Sequence, residues 1–103
     1  MITAEEMDAQ AKQHPKEFAN LIARGMEAHR LSLRVGFLAE WEFRLKMNHL
    51  TRRADDFIRF YLRDASGKPL DGEDRQAARA WIFASIGKVV RDMVEAQAEA
   101  LAV

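Results

Sequence analysis

At 103 residues, with 16 basic and 16 acidic side chains, the chain is one domain in size and has no net charge to draw it to nucleic acid or an anionic membrane. Cysteine is absent, which excludes disulfides, thiolate metal sites and a cysteine nucleophile. Two prolines, five glycines and abundant Ala, Leu, Glu and Arg favour helix over sheet.

The stretch Met1 to Glu6 is acidic and has no apolar run, so no secretory signal is expected there. The longest low-polarity run, Ala80 to Gly87, is far below the roughly 20 residues of a membrane span. A cytoplasmic protein with no membrane contact is the expectation.

Thr3 followed by Glu6 is a capping-box pattern, predicting a first helix to about Gln13. His14-Pro15 interrupts it, because Pro15 disfavours helical geometry in the residue before it and suits the first turn of a new helix. Phe18, Leu21, Ile22 and Met26 then form a helical stripe containing Gly25, a residue that marks close packing or a bend.

A long helix is predicted over about 34 to 64, with a kink or break near Gly36. Phe43, Met47, Leu50, Ala54, Phe57 and Tyr61 step by four and three and form its main seam. Leu31, Leu38 and Leu45 recur every seven residues on a different face, so different partners are expected to cover the two ends of this helix.

The turn Ala65 to Leu70 is short enough to fold the chain back on itself. Asp71 is the predicted N-cap of a last helix over about 71 to 101, with Ile82, Ile86, Val89, Met93, Ala96 and Ala100 as its seam. The fold class is therefore all-α: one domain over 1–103, a small bundle built on a long antiparallel hairpin with one or two shorter N-terminal helices. The Ala-Glu-rich end from Glu95 is expected to fray unless a partner holds it.

More apolar surface is present than a hairpin needs. Phe83, Val90, Val94 and Leu101 form a second stripe on the last helix, and Phe57, Ile58, Phe60, Tyr61 and Leu62 cover more than half of the preceding one. One explanation is that the helix from 15 to 33 lies over the second stripe and accounts for all of this surplus; the preferred one is a protein partner, because the short N-terminal helices cannot cover the full length of the long ones. The residues predicted to bind that partner are Phe60, Leu62, Trp81, Phe83, Val90 and Val94, with Arg59 and Arg63 at the rim. A homodimer through the long helices is the expected assembly, since closed two-fold dimers are the commonest oligomers.

No catalytic, cofactor or metal residue is predicted. His14, His29 and His49 lack metal-ligand spacing, and Ser32, Ser66 and Ser85 lack a nucleophile-elbow context. Ser66-Gly67-Lys68 has neither the preceding strand nor the glycine spacing of a phosphate loop. In the acidic turn Asp64 to Asp74, Lys68 and Arg75 stand where calcium ligands belong. Trp41 reads as a core or packing residue, and Trp81 as a flank of the last helix's seam.

Charge is unevenly spread. From Arg24 to Arg63 nine basic residues face five acids, and both flanks are net negative. This gradient suits electrostatic choice of a protein partner. The alternative is a nucleic-acid-binding dimer using Arg44, Lys46, Arg52 and Arg53.

In format (about a hundred residues, all helix, no catalytic constellation) the chain is similar to small bacterial regulatory inhibitors, including quorum-sensing antiactivators and phage-encoded inhibitors of host machinery. The likeness is one of format alone; the function expected from the surplus apolar surface is a non-enzymatic protein that binds a cytoplasmic partner, such as a transcriptional regulator, and blocks its assembly or activity.

Overall fold

The computed structural model describes residues 1–33 and 36–102. Four helices follow one another among them: α1 (Ala4–Ala11), α2 (Pro15–Ser32), α3 (Phe37–Tyr61) and α4 (Gly72–Leu101). The all-α bundle expected from the helical periodicities is what forms.

Local chemistry sets most of the boundaries. The Thr3 hydroxyl accepts from the Glu6 backbone N–H at 3.2 Å and donates to the Glu6 carboxylate at 3.1 Å, capping α1. α1 stops at Ala11, two residues before the expected end, and His14 then takes the N-cap position of α2 with Pro15 in its first turn. Asp71 caps α4 through its side chain, 2.7 Å from the Gly72 N–H. The break expected near Gly36 is complete. Gly36 precedes α3 with a φ of +114°, a left-handed conformation that glycine adopts without a Cβ penalty. The expected start of the long helix near residue 34 falls on Arg34 and Val35, outside the described residues.

α2 and α3 are antiparallel neighbours. His14 stacks on Tyr61 with ring centroids 4.4 Å apart, Phe18 meets Phe57 at 5.4 Å, and Lys46 pairs with Glu27 at 3.1 Å. α4 runs alongside α2 in the same direction, because Phe18 contacts Trp81 and Gly25 abuts Ile86. The α3–α4 hairpin is therefore the outer pair of an up-down-up arrangement. α2 packs on both members, more extensively on α3 than α3 packs on α4. Arg79 of α4 makes a two-pronged ion pair with Asp55 of α3, Nε donating to Oδ1 at 3.0 Å and Nη2 to Oδ2 at 2.9 Å.

The core is concentrated at one end. Met7 and Ala11 of α1, Leu21, Leu50, Ala54, Phe57, Ile58, Ala78 and Ile82 are buried together with Leu62 and Leu70 from the α3–α4 turn. The Ile2 N–H donates to the Asp74 carboxylate at 3.0 Å, tying the N-terminal segment to the start of α4.

Candidate docking surface

The α3–α4 turn corrects one of the predicted contact residues, Leu62, and fixes the setting of another, Arg63. α3 ends at Tyr61, three residues earlier than expected, and Leu62 adopts extended backbone geometry (φ −104°, ψ 137°). Around it, the Gln10 side chain bonds both ways to the Arg63 backbone, accepting at 2.8 Å and donating at 3.0 Å. Arg63 also bridges to Pro69 across the turn. A helical wheel no longer applies beyond Tyr61, and Leu62 points inward with 0% exposure, so it is a core residue unavailable to a partner. The Arg63 guanidinium donates through Nη1 to the Arg59 and Leu62 carbonyls at 2.8 Å and so closes the end of α3.

The other six residues separate. Phe60 is 58% exposed, with the Arg59 guanidinium 5.5 Å from its ring centroid. Trp81 is half-buried against Phe18, and Phe83 and Val90 are half-buried against the core. Val94 is exposed on α4. Given the helix directions, Phe60 and Val94 lie toward opposite ends of the molecule and cannot share one small contact.

A different grouping stands out. Leu38, Trp41 and Leu45 share the outer face of α3's N-terminal half, opposite the seam of Phe43, Met47 and Leu50. Leu38 is 73% and Trp41 58% exposed, which overturns the expectation that Trp41 is a packing residue. Leu33, at the end of α2, is also exposed. Because α4 runs parallel to α2, its C-terminal turns point to this same end, carrying exposed Val94 and Leu101. No residue of α4 beyond Ile86 is buried. The α4 seam therefore fades at Ala96 and Ala100, both exposed, although the helix itself persists to Leu101. α4 outlasts the core, leaving an apolar end that is open on its side, while Ala28 of α2 and Ala39 of α3 stay buried there.

This surface was partly visible beforehand. The seven-residue spacing of Leu38 and Leu45 is its sequence signal; Leu31, the third member of the expected recurrence, lies on α2 across the break.

Two further hollows line α2. A cavity of about 190 Å³ between α2 and α3 is bordered by Glu17, Asn20, Arg24, Arg53, Asp56, Phe60 and Tyr61. The Arg24 Nε there is buried without a hydrogen-bond partner among the described residues. A shallow apolar groove of about 460 Å³ runs along Ala11, Pro15, Phe18, Ala19, Ile22, Ala23 and Met26.

Polar chemistry is dispersed. The Ser32 and Ser85 hydroxyls donate to carbonyls of their own helices, and the Ser66 hydroxyl donates to Asp64. Among the described residues no group of three His, Asp or Glu side chains is placed to hold a metal, and no helix is long and apolar enough to cross a membrane. Of the basic residues considered for nucleic acid, Arg44 is paired with Glu40 at 2.8 Å and Lys46 with Glu27 at 3.1 Å, while Arg52 and Arg53 are exposed. Asp64 collects N–H donors from Ser66 and Lys68 at 2.9 and 3.0 Å. The Ser66 hydroxyl first, then the Lys68 backbone N–H, holds its carboxyl below the usual 3.8.

No protein-family model, no curated protein and no solved structure matches the chain.

Proposed function

We propose that the chain is a non-enzymatic protein-interaction module. The observation that carries this reading is the outer apolar face of α3: Leu38, Trp41 and Leu45 stand in solvent on a helix whose opposite face already serves the core. A helix apolar on opposing faces is covered on both in the working assembly. Trp41 supplies the anchor, since a large rigid aromatic contributes much contact area at little entropic cost. In a regulatory inhibitor of a cytoplasmic protein, such as a transcription regulator, this face would cover a helix surface that the target needs for its own assembly.

The ion pairs of Arg44 and Lys46 give the nucleic-acid alternative less support, because half of its proposed basic set stands beside a carboxylate that a phosphate would have to displace.

The test compares wild-type protein with Trp41→Glu in capture from the native cell, with and without nuclease. A protein retained through nuclease treatment by wild type and lost by Trp41→Glu supports the reading. Capture that vanishes with nuclease transfers the function to the basic residues.

A further inference from the structure

We infer that the cavity between α2 and α3 is a binding site for a free α-amino acid with an apolar side chain. It draws on the C-terminal half of α3, away from the Trp41 face, and is independent of what docks there.

Charge is the first argument. Four charged side chains border the cavity, Glu17 and Arg24 from α2 and Arg53 and Asp56 from α3, two of each sign. None of the four makes an ion pair among the described residues. Elsewhere in the bundle opposite charges on neighbouring helices do meet, as Lys46 with Glu27 and Arg79 with Asp55. Arg24 is half-buried and its Nε has no acceptor among the described residues, so packing rather than a partner holds the guanidinium at the cavity wall. With both signs equally present, the site favours neither a simple anion nor a simple cation. It complements a ligand that carries one charge of each sign.

Order along the cavity is the second argument. His14 stacks on Tyr61 and Glu27 pairs with Lys46, which matches the levels of the two antiparallel helices. Phe60 and Tyr61 therefore stand toward the His14 end and Arg24 and Arg53 toward the other, with Glu17, Asn20 and Asp56 between them. A free amino acid presents its groups in that sequence. Its carboxylate meets the arginines, its ammonium the two acids, and its side chain the rings above buried Leu21 and Phe57. The Arg59 guanidinium, 5.5 Å from the Phe60 ring centroid, disfavours a cationic side chain at that end. The volume of about 190 Å³ is somewhat larger than the roughly 150 Å³ of a cavity that holds benzene, which sizes the site for a single residue.

Chemical-shift mapping on the isotope-labelled full chain tests this. L-Phenylalanine and L-leucine at millimolar concentration are expected to shift the amides around Asn20, Arg24, Arg53 and Asp56. Hydrocinnamate lacks the ammonium and phenethylamine lacks the carboxylate, and each should bind at least about tenfold more weakly than L-phenylalanine. Asp56→Asn and Arg24→Gln, with circular dichroism unchanged, should weaken L-phenylalanine by a similar factor. Should Arg24→Gln fail to fold, Arg53→Gln decides, since that side chain is exposed. No shift at these amides with either amino acid overturns the inference. So do single-charge analogues that bind as tightly as L-phenylalanine, or folded variants that bind it unchanged.

Discussion

Gly25 of α2 lies so close to Ile86 of α4 that a Cβ built on it falls 2.5 Å from the Ile86 Cγ2. The glycine inside the α2 stripe thus marks close helix packing rather than a bend. Gly25→Ala gains about 1 kcal/mol of helix propensity and incurs overpacking of about 1–3 kcal/mol. The expected outcome is a lower Tm. Gly25→Ala combined with Ile86→Ala, which removes the Cγ2, Cδ1 and Cγ1 atoms the new methyl meets, should lose less than the sum of the two single variants by thermal melt.

Leu62 and Phe60 are two residues apart and respond oppositely. Leu62→Ala is expected to cost about 2–5 kcal/mol, as for other fully buried leucines. Phe60→Ala should stay within about 0.5 kcal/mol, since it empties a mostly solvated site. Urea denaturation of both variants checks the pair.

The ion pair of Arg79 and Asp55 joins α4 to α3 in bidentate geometry. Asp55→Asn keeps the shape and removes the charge, for an expected loss of about 0.5–1 kcal/mol because the Arg79 side chain is partly exposed. The same measurement at high salt should show a smaller difference.

Asp64 gives the turn an acid-sensitive tie. Its carboxyl pKa is depressed on folding, so the stability it contributes is present above the unfolded value of 3.8 and is lost as pH falls through the lower folded value. Asp64→Asn should therefore be less stable than wild type at neutral pH, with the gap closing below about pH 4. Thermal melts across that range read the effect.

Much of the bundle was legible in the residues. Thr3, Pro15 and Asp71 mark helix starts through side-chain chemistry that acts within one turn, and the stepping of Phe43 to Tyr61 and of Ile82 to Met93 reports the core-facing stripes directly. What failed was long-range. Leu62 was placed on a wheel that ends one residue before it, because the bond between Gln10 and Arg63 spans 53 positions and leaves no local trace. Trp41 read as packing because composition favours burial of indole, while its exposure depends on where the neighbouring helices stop. The second face of Leu38 and Leu45 was visible as a period, and its opening to solvent was decided by the register of α2 against α4.

The most direct measurement places a photo-crosslinking amino acid at position 38, on the open apolar end, and in parallel at Ala80, on the exposed side of α4, in the native cell. Position 38 should yield one discrete protein adduct, to a second copy or to another protein, and position 80 none. Equal crosslinking at both positions, or none at 38, would contradict the claim that this end is a docking surface.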